Sequence, residues 1–157
     1  MISFLLDTSF LISLADPNRK HHETAKVYLR EALSYGVTLY ISVVAASEFQ
    51  VKQPVTDLPL RNFHVLPFNI DHAMTAGDLT RKFPRDAGDD RTAVKDDIKL
   101  LAQTVCESIT HIITEDKNTL AKYLTRLYDQ GESSAKAILL VDGYDAFWFN
   151  DGQHELL

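Results

Sequence analysis

The sequence predicts an α/β domain built on a parallel β-sheet. Short apolar segments alternate with longer segments in which apolar residues recur at helical spacing. The first segment, residues 2–6, is almost wholly apolar, as expected for a strand that is buried on both faces of a sheet. A chain of 157 residues has the length of one domain, so we expect a single domain over residues 1–157.

Each predicted element has its own end signal. Asp16 precedes a proline and so ends the first helix, Gly36 and Gly131 follow helices, and Ser42 and Asp71 are expected N-caps. Strands are predicted at 2–6, 37–41, 63–68, 109–114 and 137–141. Helices are predicted at 8–15, 22–35, 42–53, 73–83, 92–107 and 116–130, with loops at 57–62 and 84–90 and an unassigned tail at 142–157.

Composition limits the class of protein. The 22 acidic residues exceed the 16 basic ones, and the net charge of −6 argues against a protein that coats nucleic acid through bulk charge. Cys106 is the single cysteine, so an internal disulfide is impossible and a reducing compartment is expected. The apolar start of the chain is interrupted by Asp7 and is not typical of a signal peptide. We therefore expect a cytoplasmic protein with no membrane partner.

Three acidic residues occupy positions where a carboxylate is not simply solvated. Asp7 follows the first strand and Asp116 follows the fourth, at the strand ends where open α/β sheets bind ligands. Either residue is also a good N-cap for the helix that follows it. Glu48 shares a helical face with Val44 and Val51, which we expect to point inward. Its carboxylate therefore needs a partner, either a metal ion or a basic side chain.

Helix geometry separates the adjacent acids Asp96 and Asp97. At roughly 100° per residue, Asp97 lies about 80° from the centre of the apolar stripe and Asp96 about 180° from it. We expect Asp97 to face a cleft, and Asp96 and Glu115 to face solvent.

Parallel strands end at one edge of their sheet, so the sequence predicts that four carboxylates converge there. Carboxylates in a poorly solvated cleft repel one another, and divalent cations relieve that repulsion. Ligands that are all oxygen atoms suit Mg²⁺ or Mn²⁺ better than Zn²⁺. The converging residues are Asp7, Glu48, Asp97 and Asp116.

Four segments resemble, in order, the acidic motifs of the PIN domain family. They read LLDTSFLI at 5–12, ISVVAASEF at 41–49, KDDIKLLA at 95–102 and IITED at 112–116. The third leaves a one-residue ambiguity between Asp96 and Asp97, and its spacing favours Asp97. The resemblance, over about residues 1–141, implies a three-layer α/β/α sandwich with a central parallel sheet. It also implies that Asp7, Glu48, Asp97 and Asp116 hold Mg²⁺ or Mn²⁺, with Thr114 as a supporting polar residue.

The function implied by the resemblance is endonucleolytic hydrolysis of RNA phosphodiester bonds. Bacterial PIN proteins of this size are often toxins of toxin–antitoxin pairs, which implies a small antitoxin partner and a homodimer. Two alternatives remain open. One is a PIN-like module that binds RNA or protein without cutting, and the other is an RNA-processing nuclease that is not a toxin.

Basic residues near Asp97 have two interpretations. Arg85, Arg91 and Lys95 either bind RNA phosphates beside the metal or form a solvated face paired with neighbouring acids. For the aromatic run of the tail, packing, an edge strand or a dimer contact is a better interpretation than base stacking. Its members are Tyr144, Phe147, Trp148 and Phe149.

Overall fold

The computed structural model describes residues 1–150 and contains a five-stranded parallel sheet. The strands stand in the order β3-β2-β1-β4-β5, and every neighbouring pair is parallel. They are β1 (Ser3–Leu6), β2 (Thr38–Ser42), β3 (His64–Leu66), β4 (His111–Thr114) and β5 (Lys136–Leu139). The predicted α/β fold with a parallel sheet is confirmed.

Six α-helices flank the sheet within the described residues, completing a three-layer α/β/α sandwich. They are α1 (Thr8–Ala15), α2 (His22–Ser34), α3 (Val43–Lys52), α4 (Ile70–Lys82), α5 (Arg91–Cys106) and α6 (Leu120–Asp129). α1 packs on α2 and α3, while α5 packs on α4 and α6. Within residues 1–150, none of these helices is both long and apolar enough to cross a membrane.

The core lies along the two central strands. All four residues of β4 are buried, and so are three of the four residues of β1, which explains the absence of polar alternation in both segments. Leu6 pairs with Ile41 on one side and with Ile113 on the other, so the strands end side by side. The polar residues that follow these strands are therefore brought together.

The chain reverses its direction of travel across the sheet between β1 and β4. From β1 it proceeds outward to β2 on one side, and from β4 it proceeds outward to β5 on the other. In open α/β sheets, the crevice outside the carboxyl ends of strands at such a switch point is where ligands bind. Asp7 and Asp116 follow these two strands.

Two predicted helix starts are wrong. Asn69, not Asp71, caps α4: its side chain accepts from the amide of His72 at 3.0 Å, and its own amide donates to Nδ1 of His72 at 3.1 Å. This capping box satisfies two donors at once, which a lone Asp71 cap would not. The last helix begins at Leu120 rather than at Asp116, because the Asp116 carboxylate binds the following amides in a separate turn.

Smaller differences concern irregular segments. Two 3-10 turns, Val55–Asp57 and Leu60–Asn62, cover most of the loop predicted at 57–62. The third strand, predicted at 63–68, is limited to three residues because residues 60–62 turn before it and its proline follows it.

The first part of the tail packs on the core. Phe149 is the last residue of a 3-10 turn and is buried, with its ring centroid 5.1 Å from that of Tyr35, on which it stacks, and 5.6 Å from that of Phe4. Trp148 meets His111 edge to face at 5.4 Å. Packing therefore accounts for these two aromatic residues, while the remainder of the predicted tail, 151–157, lies outside the described residues.

Candidate functional site

A cleft of about 290 Å³ opens at the carboxyl ends of the central strands. All four acids selected from the sequence lie on its walls, although they come from four separate parts of the chain. The lining residues are Asp7, Thr8, Ser9, Ile12, Arg19, Glu48, Lys52, Ala93, Asp97, Leu100 and Asp116.

Asp7 is held more firmly than an ordinary surface acid. It caps α1 by accepting from the amide of Phe10 at 2.9 Å, and Ser9 donates to the same oxygen at 2.8 Å. Thr114 donates to its other oxygen. Burial nevertheless raises the pKa of Asp7 to about 6, because these donors offset only part of the cost of desolvating the charge. The Asp7 side chain thus both caps α1 and lines the cleft.

Thr114 lies behind Asp7 and is completely buried. Its hydroxyl oxygen lies 3.2 Å from the Ser9 hydroxyl and accepts from the amide of Asp116 at 2.8 Å. Ser9 also accepts from the amide of Glu115 at 2.9 Å. Sequence reasoning missed Ser9, although its place in the first motif, two residues after Asp7, was the available signal.

Asp116 lies in the turn between β4 and α6. Its carboxylate accepts from the amides of Asn118 at 3.0 Å and Thr119 at 2.9 Å, and from the Thr119 hydroxyl. Burial alone would raise the pKa of Asp116, but these hydrogen bonds outweigh it and hold the pKa below its usual value. Asp116 therefore remains an anion in the cleft at neutral pH.

Glu48 reaches the cleft from α3, and Thr8 donates to its Oε1 at 3.0 Å. The expectation that its valine neighbours point inward is wrong for Val51, which is 85% exposed, whereas Val44 is partly buried against the core. The buried residues of α3 are Ala45 and Phe49. Glu48 precedes Phe49 and lies at the border of the buried face. Partial burial raises its pKa, an effect that the Thr8 hydrogen bond reduces.

Asp97 is the least compensated of the four acids. Its Oδ2 is buried and has no hydrogen-bond partner among residues 1–150. Burial raises the pKa of Asp97 to about 7; the Thr119 hydroxyl reduces this effect, and the nearby charges of the other three acids add to it. Asp96 is instead turned toward Lys99, with 3.7 Å between the charged groups, and does not line the cleft.

The donor set fits a hard divalent cation. The four acids offer only oxygen atoms, and the buried, unpartnered oxygen of Asp97 has the properties of a ligand without its ion. As the side chains stand, no three acidic, histidine or cysteine residues within positions 1–150 already converge on a common point. The side chains of the four acids would have to rotate to surround an ion.

The basic patch selected from the sequence lies outside the cleft, on the first turns of α5 and the loop before it. Arg85, Arg91 and Lys95 line a second groove of about 300 Å³, with Phe83, Val94 and Ile98 among its apolar residues. Arg85 donates to the backbone oxygen of Asp89 at 2.6 Å, and neither Arg91 nor Lys95 forms an ion pair within residues 1–150. Arg91 and Lys95 therefore do not form the ion pairs with neighbouring carboxylates that the second interpretation predicts.

Two other cations line the carboxylate cleft, and sequence reasoning missed both. Arg19 comes from the loop between α1 and α2, and Lys52 is the last residue of α3. The side chain of Glu115 is only 19% exposed and lies 3.1 Å from Arg19, so the expectation that it faces solvent is wrong. Lys52 follows Glu48 by four residues and shares its helical side, which was the available signal.

Comparison with solved structures identifies the fold. A structure of VapBC2 from Rickettsia felis bound to a promoter DNA fragment matches with a TM-score of 0.58 and 13% identity, over 92% of this chain and 100% of that one. Mycobacterium tuberculosis VapC20, described as a sarcin-ricin loop cleaving toxin, matches with a TM-score of 0.58 and 19% identity, over 79% of this chain and 95% of that one. DNA-bound VapBC from Salmonella typhimurium matches with a TM-score of 0.59 and 15% identity, over 89% of this chain and 99% of that one.

Similarity at the level of sequence is much weaker than similarity of fold. No protein-family model matches the sequence, and no curated protein matches it either. The chain nevertheless has the PIN-like fold of the VapC toxins, as the order of its acidic motifs predicts.

Proposed function

We propose that this protein is an endoribonuclease dependent on Mg²⁺ or Mn²⁺, with its catalytic centre in the carboxylate cleft. The observation that carries the proposal is the meeting of Asp7, Glu48, Asp97 and Asp116 at the switch point of the sheet. Four partly or fully buried acids in one cleft are costly unless a cation joins them. The unpartnered Oδ2 of Asp97 supports the same conclusion.

The four acids are the proposed ligands, and they differ in how firmly they are fixed. Asp7 and Asp116 are set in place by hydrogen bonds, with the Thr114 hydroxyl between them. Glu48 is steadied by Thr8, and Asp97 retains a free oxygen. A bound divalent ion would lower the pKa of a water molecule, orient it and stabilise the departing oxygen of the phosphodiester. No side-chain nucleophile is required for such a hydrolysis.

RNA binding is proposed for the second groove as well. α5 separates the two sites: Ala93, Asp97 and Leu100 line the cleft, whereas Arg91 and Lys95 line the groove. An RNA strand leaving the cleft over this helix would pass the two cations, which are four residues apart on one side of the helix. Phosphate contacts of this kind position the strand without reading its sequence.

The activity is tested directly with purified full-length protein and RNA. We expect cleavage of single-stranded or structured RNA in Mg²⁺ or Mn²⁺, products with 5′-phosphate and 3′-hydroxyl ends, and complete inhibition by EDTA. Cleavage that persists in EDTA would contradict metal dependence. RNA binding without cleavage at any divalent ion would favour the non-catalytic alternative.

The similarity to VapBC structures supports a role as the toxin of a toxin–antitoxin pair. We propose a small antitoxin partner, a homodimer and a cytoplasmic location, the last supported by the single cysteine. Induced expression should stop growth, and co-expression of a small DNA-binding protein encoded next to this chain should restore it. Ribonuclease activity without growth inhibition would favour an RNA-processing nuclease. Light scattering of the purified chain tests the homodimer.

A further inference from the structure

We infer that Arg19 is a phosphate-binding residue of the carboxylate cleft and that Glu115 holds it in position. The inference rests on the proposed function and specifies which side of the cleft would bind the RNA backbone. The charged groups concerned come from the α1–α2 loop and from the end of β4.

The backbone of Arg19 is fixed by a tight turn. Its amide donates to the carbonyl of Asp16 at 3.1 Å, and its carbonyl accepts from the amide of His22 at 3.2 Å. The amide of Asn18 donates to Oδ1 of Asp16 at 2.9 Å, which closes the same turn from the side chain. A residue in such a turn presents its side chain in a restricted direction, and here that direction is the cleft.

Glu115 anchors one end of the Arg19 guanidinium. Nη2 of Arg19 donates to Oε2 of Glu115 at 3.1 Å, while the buried Ser13 hydroxyl donates to Oε1. The Glu115 amide in turn donates to the Ser9 hydroxyl at 2.9 Å. Glu115 is therefore tied to α1 through both its backbone and its side chain, and its carboxylate provides a fixed support for Arg19.

The rest of the guanidinium is open to a ligand. A guanidinium carries five N–H donors, and the hydrogen bond to Glu115 is the one side-chain bond that Arg19 makes within residues 1–150. The Arg19 side chain remains 41% exposed although one end is held. The planar fork of donors matches the oxygen atoms of a phosphodiester better than an ammonium group does.

Charge explains why the cleft needs this cation. A phosphate that approaches four carboxylates is repelled, even where a metal ion offsets part of their charge. Arg19 and Lys52 are the cations among the cleft-lining residues that the structure describes. Lys52 is exposed and has no ion-pair partner within residues 1–150, so no acidic residue in that range fixes its ammonium group. Arg19, anchored by Glu115, is the cation able to fix the position of a phosphate.

A purely structural role for the pair makes the opposite prediction for Glu115. If Arg19 and Glu115 only tie the α1–α2 loop to β4, removing Glu115 deletes a negative charge near the RNA and should improve RNA binding. If Glu115 positions Arg19, removing it misplaces the cation and should weaken RNA binding. The sign of the change therefore separates the two roles.

The test is steady-state cleavage of one RNA oligonucleotide in Mn²⁺, with Lys136→Ala as the control. Lys136 is an exposed cation at the amino end of β5, away from the cleft. Arg19→Ala should raise the KM about ten-fold, the effect expected for one charge-assisted hydrogen bond, and change kcat less. It should also reduce the slope of log kcat/KM against log salt by about 0.7, the contribution of one phosphate contact on a single strand. Lys136→Ala should leave both quantities unchanged.

Glu115→Ala should raise the KM as well, and adding it to Arg19→Ala should cause no further loss. Glu115→Asp, which keeps the charge but shortens the side chain away from Arg19, should likewise raise the KM and serves the comparison if the alanine variant does not fold. A wild-type KM and salt slope for Arg19→Ala, or a lower KM on removal of the Glu115 carboxylate, would overturn the inference while leaving the ribonuclease proposal intact. Absence of cleavage by the wild type would instead overturn the proposed function, and this inference with it.

Discussion

Oγ1 of Thr114 donates a hydrogen bond to Oδ2 of Asp7 and so joins the ends of β4 and β1. The same oxygen accepts the amide of Asp116 at 2.8 Å. A single buried hydroxyl thus sets the position of two of the four acids, one on each side of the switch point. Neither contact is visible in the sequence, where Thr114 and Asp7 are more than 100 residues apart.

Thr114→Val should reduce kcat for RNA cleavage by about 10- to 100-fold, the usual effect of removing a group that orients a metal ligand. Valine keeps the shape of threonine but leaves the Asp116 amide without its acceptor. Thr104→Val is the matched control, since Thr104 is also buried and, in the described part of the chain, its hydroxyl donates only to the Leu100 carbonyl within its own helix, at 2.9 Å. Equal activities of the two variants would show that the Thr114 hydroxyl does not act on the centre.

Substitution of the adjacent acids of α5 should have opposite outcomes. Asp97→Asn should abolish cleavage, because Asp97 lines the cleft and carries the unpartnered oxygen. Asp96→Asn should retain most of the activity, because Asp96 pairs with Lys99 outside the cleft. Side-by-side cleavage assays check both, and loss of activity through Asp96 alone would overturn the assignment of Asp97 as a ligand.

Stability in EDTA should depend on pH through the buried acids. Burial raises the pKa of Asp7 to about 6 and that of Asp97 to about 7, both from 3.8. Between about pH 4 and pH 7 the folded protein holds protons that the unfolded chain has released, and this proton binding stabilises the fold. The stabilisation is complete below about pH 4 and is lost as the pH rises towards 7. At pH 8 the ionised Asp97 is a net cost to the fold.

Asp97→Asn removes that cost, since asparagine stays neutral. Its free energy of unfolding should therefore rise relative to the wild type between pH 5 and pH 8, by roughly 1 to 4 kcal/mol. Urea unfolding at several pH values in EDTA measures the difference. Asp71→Asn, an exposed substitution on α4, should follow the wild type across the range. A constant difference between Asp97→Asn and the wild type would contradict the raised pKa of Asp97.

Phe149→Ala tests whether the tail belongs to the core. The Phe149 ring is buried against Phe4 and Tyr35, so its removal should cost about 3 to 5 kcal/mol of unfolding free energy. Tyr128→Ala, which removes a half-exposed ring on α6, should cost far less. Equal losses for the two variants, measured by urea unfolding, would show that Phe149 does not pack as described.

The fold was predictable because its signals are local. Buried parallel strands are continuous apolar runs, and three helices end just before Pro17, Gly36 and Gly131. Helix starts were less predictable where two neighbouring residues could each serve as the N-cap. Asn69 caps α4 in place of Asp71 because His72 completes a reciprocal pair of hydrogen bonds, which depends on the conformation of the turn.

The cleft was predictable only in part. Strand ends placed Asp7 and Asp116, and helical spacing placed Asp97, because both follow from backbone geometry. Arg19 and Glu115 were missed because their meeting depends on a loop, whose path no periodicity describes. Glu48 lines the cleft although only one of its two valine neighbours, Val44, packs against the core, since α3 buries Phe49 instead of Val51.

Calorimetric titration of Mn²⁺ into the metal-free protein tests the central claim most directly, because it needs no knowledge of the natural RNA. Wild type should bind Mn²⁺, and Asp7→Asn should lose most of that binding while remaining folded, as circular dichroism would verify. Asp71→Asn should bind as the wild type does. Equal Mn²⁺ binding by the wild type and by folded Asp7→Asn would contradict the assignment of the carboxylate cleft as the metal centre.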